Sequence, residues 1–354
     1  MFSINDLEIT RVERTRVNDQ PLVNVPFGKY FTDHMLEVDY VDGAWQKPVI
    51  KPYAPISFEP SLAALHYGQA IFEGIKAYKN VNGEVAIFRG IDNFKRFNVS
   101  ATRLQMPTVP EDIFIGGMNA LVNLDSIWIP LVEEHSLYIR PFMFATDCFL
   151  GVKPSESYKF FIILSPAGPY YAAPLKILVE QHYVRAVKGG VGYAKAAGNY
   201  ASALLATSEA KAKGFDQVLW TDPFEHKYVH EMGVMNVFFI IGDKAYTPSL
   251  EDGTILAGVT RDSVIVLLRE MGFDVVEGAI NIDMVVDAYK TGTLLEAFGT
   301  GTAATVSMIK ELHYQDVEMI FDTDKWTVSP ELKTALTDIR QGKASDRFGW
   351  MYPV

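Results

Sequence analysis

Lys195 lies in the run Gly189-Gly190-Val191-Gly192-Tyr193-Ala194-Lys195-Ala196-Ala197-Gly198-Asn199-Tyr200, which offers it almost no charge to pair with. Glycine and alanine let backbone come close to a flat ligand. A partly desolvated amine is a nucleophile toward carbonyls. The chemistry this points to is a Schiff base, most often with pyridoxal phosphate. An ordinary surface lysine on a glycine-rich loop is the alternative, and this stretch alone leaves both open.

Other segments carry matching chemistry. Leu256-Ala257-Gly258-Val259-Thr260-Arg261-Asp262 is a glycine turn opening a helix, where free N–H groups and the helix dipole can face an anion. Simple capping explains the same residues. Phe298-Gly299-Thr300-Gly301-Thr302-Ala303-Ala304-Thr305 could form a backbone nest with threonine donors. It lacks the following βα unit and acidic residue of a dinucleotide fingerprint. Glu231 stands before a very apolar strand, where a carboxylate is costly unless paired. A protonated pyridine nitrogen is one such partner; solvent at an edge strand is the other reading. His226 and His230 are four apart, but His-Glu-x-x-His is absent, so no metal is expected. No Gly-x-Ser-x-Gly supports a hydrolase. Arg140, in a β-rich run, needs an anionic partner from protein or substrate.

These residues need a scaffold. The chain has 354 residues, 49% hydrophobic and 21% charged, enough for two sizeable cores. A net charge of -11 argues against nucleic acid or an anionic membrane as a partner. The single cysteine, Cys148, allows no internal disulfide. The charged start is unlike a secretory signal, and no apolar run reaches membrane-spanning length, so a cytoplasmic protein is expected.

The first half reads as strands with few helices. Asn82-Gly83 marks a hairpin between residues 75–78 and 85–88. Phe94, Phe97, Ala101 and Leu104 have helical spacing. Three prolines and a glycine between Ser165 and Pro174 mark a linker. The second half alternates strands with helices expected at 199–213, 260–271 and from Ser329, with Ser329 as cap and Pro330 as first residue. The expected class is α/β (α+β): a small N-terminal domain at 1–168, a loop at 169–175, and a large C-terminal cofactor-binding domain at 176–354.

Taken together, the ordered motifs resemble the branched-chain-amino-acid aminotransferases of fold type IV, the D-amino-acid aminotransferase-like fold, closest to the branch with the animal enzymes. The resemblance runs from Phe27-Gly28-Lys29-Tyr30 through Phe72-Glu73-Gly74-Ile75-Lys76-Ala77-Tyr78, Leu137-Tyr138-Ile139-Arg140-Pro141, the Lys195, Glu231, Gly258 and Gly299 segments, to Trp350-Met351-Tyr352-Pro353-Val354. It implies that Lys195 binds pyridoxal 5'-phosphate and moves the substrate proton, that Glu231 pairs with the ring nitrogen, and that Tyr200 meets the phenolic oxygen. Arg89, Val259, Thr260 and Thr302 would hold the phosphate. Tyr67, Ala303 and Ala304 would meet the substrate α-carboxylate. Phe27, Phe72, Tyr138, Tyr170 and Val234 would line the side-chain pocket, with Val152 from a second subunit, and Arg140 would receive the distal carboxylate of glutamate. The resemblance also implies a homodimer acting on amino acids and 2-oxo acids, transaminating L-leucine, L-isoleucine and L-valine with 2-oxoglutarate. Val234 replaces a threonine of the animal enzymes, and Ala304 and Ser307 replace their redox-active cysteines.

The nearest rivals are a D-amino-acid aminotransferase or an aminodeoxychorismate lyase of the same fold. The aromatic pocket with Arg140 argues against both. A nucleotide-binding module using Gly299-Thr300-Gly301, or a purely structural α/β protein, would have no use for Lys195.

Overall fold

The computed structural model describes residues 7–20, 22, 23 and 25–354. Residues 1–6, part of the start read above for a signal, lie outside the described residues.

The chain forms two compact units. The first takes the described residues up to Tyr170 together with Ala194–Ala197 and Thr337–Val354. The second takes Tyr171–Tyr193 and Gly198–Leu336. A single cut at 169–175 therefore does not describe the division. The four residues around Lys195, and the C-terminal segment, belong with the first unit.

Strands β1 (Glu8–Ile9), β2 (His34–Val41), β3 (Ala44–Trp45), β4 (Val49–Pro52), β5 (Ala70–Phe72), β6 (Ile75–Lys79), β7 (Val85–Phe88), β8 (Ser136–Ala145) and β9 (Tyr158–Ala167), with Met351–Pro353, make the first unit's sheet. Its order is β1-β4-β2-β9-β8-β6-β7 and then the C-terminal strand, with β3 on β2 and β5 on β8. Among the described residues it is antiparallel except where β1 meets β4. Helices α1 (Ala63–Tyr67), α2 (Gly90–Arg103) and α3 (Gly117–Leu124) accompany it. Strand alternation divides the side chains of β6 and β8 between two faces. Ile75, Ala77, Leu137 and Ile139 join the core with Phe97, Ala101, Phe114 and Leu121. Each large side chain buried there is worth about 1.5–3 kcal/mol. Lys76, Tyr138 and Arg140 take the alternate positions.

In the second unit, strands β10 (Leu175–Val179), β11 (Gln217–Thr221), β12 (Val229–Met232), β13 (Asn236–Ile241), β14 (Lys244–Pro248), β15 (Asp274–Gly278), β16 (Leu294–Gly301), β17 (Thr305–Tyr314) and β18 (Val317–Ile320) form a sheet. The order is β12-β11-β10-β17-β16-β13-β14-β15, with β18 on β17. It mixes parallel pairs, such as β10 with β11 and with β17, and antiparallel ones, such as β13 with β16. The helices are α4 (Ala197–Ala201), α5 (Leu204–Ala212), α6 (Val259–Glu270), α7 (Ile282–Lys290) and the start of α8 (Val328–Arg340).

Two expectations need correction. The helix expected at 199–213 is two helices, interrupted at Ser202 and Ala203. The Ser202 hydroxyl donates to the Asn199 carbonyl at 3.1 Å, a local bond of the kind that competes with helix. Ser329 is not the cap of α8. The carboxylate of Glu296 accepts from the N–H groups of Thr327, Val328 and Ser329 at 2.7–2.8 Å and from the Ser329 hydroxyl at 2.7 Å. A buried anion at the positive end of the helix does what the serine was expected to do. No helix of the described residues is long and apolar enough to cross a membrane.

Candidate active site

In the first unit the site residues form a chain of contacts. Lys195 precedes α4, and its backbone is held on both sides: its carbonyl accepts from the Phe72 N–H at 3.1 Å, and its N–H donates to the Ser100 hydroxyl at 2.8 Å. Its Nζ stands 5.0 Å from the centre of the Phe72 ring. The Arg140 guanidinium carbon is 4.6 Å from the centre of that same ring. Arg140 Nη2 donates to the Tyr138 hydroxyl at 2.9 Å. The Tyr138 ring meets Phe27 edge-on at 4.8 Å, and Phe27 meets Tyr170 edge-on at 5.1 Å. An amine, four aromatic rings and a guanidinium are thus contiguous. Gly74 is required by this packing, because a Cβ there would lie 2.1 Å from the Tyr138 hydroxyl.

Three further candidate residues belong to the first unit. Arg89 caps α2 with a left-handed backbone, φ 50°, and its Nε donates to Asp92 at 2.7 Å. Tyr67 ends the short helix α1, 44% exposed. Val152, in the loop between β8 and β9, is 88% exposed.

The second unit carries a different set. Glu231, on β12, is 3% exposed. Its Oε1 accepts from the Leu256 N–H at 2.6 Å, and Arg185 Nε lies 3.3 Å from its Oε2. The Asn236 amide donates to the Leu256 carbonyl at 2.9 Å and touches Gly258, where a Cβ would meet Asn236 Oδ1 at 2.0 Å. Gly258 caps α6, whose first turn holds Val259 and Thr260. Asn236 pairs in register with Thr300, on the strand leading to Thr302, Ala303 and Ala304. Through Leu256 and Asn236, then, the Glu231 carboxylate, the α6 N-terminus and the 299–304 turn are joined. Tyr200 lies on α4 and Val234, 45% exposed, in the turn between β12 and β13. Burial, and then the charge of Arg185, push the His230 imidazole down to about 4, so it is neutral at pH 7.

Five residues escape the sequence patterns: Ser100 and the buried ion pair of Glu73 with Arg96, 2.8 Å apart, in the first unit, and Arg185 and Asn236 in the second. The signal present is a polar residue in an apolar setting, Glu73 between Phe72 and Gly74 and Asn236 ahead of Val237-Phe238-Phe239.

Residues 70–312 match the amino-transferase class IV family. A probable branched-chain-amino-acid aminotransferase of Staphylococcus epidermidis is 48% identical, over 97% of this chain and 97% of its own. The chain belongs to the class IV branched-chain-amino-acid aminotransferases. Branched-chain-amino-acid transaminase 1 of Bacillus subtilis is likewise 48% identical, over 93% of this chain and 94% of its own. The branched-chain amino acid aminotransferase of Escherichia coli superposes with a TM-score of 0.74 at 25% identity, covering 90% of this chain and 99% of that one. The T.th. branched-chain amino acid aminotransferase complexed with N-(5'-phosphopyridoxyl)-L-glutamate gives 0.71 at 27% identity, covering 89% and 97%. The fold of this aminotransferase is therefore that of fold type IV, a mixed α/β fold with two sheets.

The family's cofactor is pyridoxal phosphate, and the residues present fit it. The donor set suits a phosphate: a helix start with no side-chain cap, at a glycine that excludes any Cβ. The buried Thr300 hydroxyl beside it has no hydrogen-bond partner among the described residues. A buried carboxylate suits a protonated ring nitrogen, and an amine against an aromatic ring suits a carbonyl carbon.

Proposed function

We propose that this aminotransferase moves the amino group of L-leucine, L-isoleucine and L-valine to 2-oxoglutarate, giving branched-chain 2-oxo acids and L-glutamate, with pyridoxal phosphate carried on Lys195. The observation that carries this reading is the Phe72 ring, which has the Lys195 amine and the Arg140 guanidinium both against it. An aromatic wall beside an amine suits an aliphatic side chain, and a guanidinium on the same wall suits a second carboxylate.

The bound cofactor supplies an electron sink for the bonds at the substrate α-carbon. Lys195 Nζ would take the proton from that carbon and pass it to the cofactor. Glu231 would hold a proton on the ring nitrogen, and Tyr200 would orient the phenolic oxygen. Arg89, Val259, Thr260 and Thr302 would bind the phosphate. Tyr67, Ala303 and Ala304 orient the α-carboxylate. Phe27, Phe72, Tyr138, Tyr170 and Val234 exclude water from the aliphatic side chain, together with Val152 of a second copy. A cytoplasmic homodimer is part of the proposal. The exposed apolar residues Leu65, Tyr67, Phe149, Leu150 and Val152 support it, since a second copy could cover them.

The test is the purified protein with L-leucine. We expect a yellow protein whose visible band changes on adding L-leucine and returns with 2-oxoglutarate, borohydride fixing the cofactor to Lys195, and no turnover from Lys195→Ala. Full activity in that variant, or a response to D-leucine instead, overturns the proposal.

A further inference from the structure

A helix start binds an anion through its backbone N–H groups, so its affinity depends on what fixes that backbone. The start of α6 has no side-chain cap. The basic residue of its first turn, Arg261, is buried and turned elsewhere. Its Nη2 donates to the Pro248 carbonyl and to Glu277 Oε2, both at 2.9 Å. Within this unit, a phosphate at Val259 and Thr260 therefore relies on well-placed N–H groups more than on Arg261.

Leu256, just ahead of that start, is held on two sides. Its N–H donates to Glu231 Oε1 at 2.6 Å, and its carbonyl accepts from the Asn236 amide at 2.9 Å. Glu231 holds the side toward Ile255, and Asn236 holds the side that runs on to Gly258. Asn236 is itself fixed. It is 6% exposed, opens β13 and pairs in register with Thr300 on β16. Its Oδ1 occupies the space beside Gly258, 2.0 Å from where a Cβ would stand. A buried amide at the head of the apolar run Val237-Phe238-Phe239 is costly, and its hydrogen bond offsets that cost only while it reaches the Leu256 carbonyl.

We infer that Asn236 is a positioning residue for the cofactor phosphate. It fixes the 256–258 segment, and with it the N–H groups at the start of α6. Glu231, with Arg185 beside it, keeps its own hold on the N–H side of Leu256. The phosphate and ring ends of the cofactor are thus anchored by separate side chains. The inference rests on the reading that Val259 and Thr260 bind the phosphate.

The experiment strips the full-length protein of cofactor and reloads it with pyridoxal phosphate or with pyridoxal, which lacks the phosphate. The proteins are the parent, Asn236→Leu and Gly258→Ala. Asn236→Leu keeps the bulk and removes the bond; Gly258→Ala drives a methyl against the Asn236 amide. We expect the parent to bind pyridoxal phosphate much more tightly than pyridoxal. Each variant should lose about tenfold in affinity for pyridoxal phosphate and less than about threefold for pyridoxal. The phosphorus resonance of the bound cofactor should move as well. A residue that merely supports the fold would weaken both ligands alike. Equal losses for the two ligands, or no loss, in Asn236→Leu overturn the inference with the phosphate reading intact. If Asn236→Leu does not fold, Gly258→Ala decides by the same comparison. A parent that holds pyridoxal as tightly as pyridoxal phosphate overturns both.

Discussion

Arg185 Nε lies 3.3 Å from Glu231 Oε2, and both side chains are almost fully buried, at 7% and 5% exposed. The nitrogen is close enough for an ion pair, but its N–H is not aimed for a hydrogen bond. Arg185 spends its donors elsewhere, on the carbonyls of Thr254 and Gly192. The guanidinium thus lies beside the carboxylate while its hydrogen bonds go to the backbone.

Glu231→Gln keeps the shape and removes the charge. We expect kcat to fall about 10²–10³-fold, as when a preorganised electrostatic partner is removed. Arg185→Met should cost both stability and kcat, because it removes the cation beside the buried Glu231 carboxylate. In the double variant the stability should recover more than the rate. Steady-state rates and thermal melts of the three proteins check this. A Glu231→Gln rate within about threefold of the parent would show that Glu231 has another partner.

Arg140 is expected to distinguish the two half-reactions. Its Nη2 is bonded to the Tyr138 hydroxyl, its Nε has no hydrogen-bond partner among the described residues, and its guanidinium lies against Phe72. A distal carboxylate gives it a charge-assisted bond; an aliphatic side chain gives it nothing. Arg140→Ala should raise KM for 2-oxoglutarate by about tenfold or more and change the leucine half-reaction much less. Single-turnover rates with L-leucine and L-glutamate measure the two separately. Equal losses would make Arg140 a structural support of Tyr138 and Phe72.

Local patterns are legible in the sequence, and long-range polar pairs are not. Phe94, Phe97 and Ala101 fall at helical spacing, and α2 forms where they stand. Asn82-Gly83 allows a turn with Gly83 at φ 84°, between β6 and β7. Asn236 to Pro248 fold back over Gly242, at φ 60°, for the same reason. The partners Glu73 and Arg96, or Glu296 and the start of α8, are brought together only by the tertiary fold. No periodicity records them, which is why Ser329 reads as a cap and is not one. The return of residues 194–197 to the first unit also has no local signal. It comes from the Phe72 and Ser100 bonds to Lys195 and the bridge between Ile71 and Ala196. The motif around Lys195 is readable because its glycines and alanines are contiguous, whereas its surroundings are assembled from distant segments.

Lys76 gives a prediction about stability. It sits on β6 opposite Tyr138, at an alternate position to the core residues Ile75 and Ala77, and is 6% exposed. Burial, and then the charge of Arg340, lower its amine from 10.5 to about 7, with Glu134 opposing. The sign follows from proton counting. Between about pH 7 and 10.5 the unfolded chain binds a proton that the folded chain does not, so this residue makes stability rise with pH. Below about 7 both states are protonated, and the folded state bears the full cost of a buried cation. Lys76→Met keeps most of the volume and removes the titration. The variant should melt at least about 2 °C higher than the parent at about pH 6. That gap should close as the pH is raised toward about 10, because the parent amine is then neutral when folded and loses its proton when unfolded as well. Melting curves of both proteins at about pH 6, 8 and 10 measure it. A gap that does not change with pH would mean that Lys76 is paired well enough to be charged throughout, and a parent more stable at the acid end would mean that its charge holds Glu134 in place.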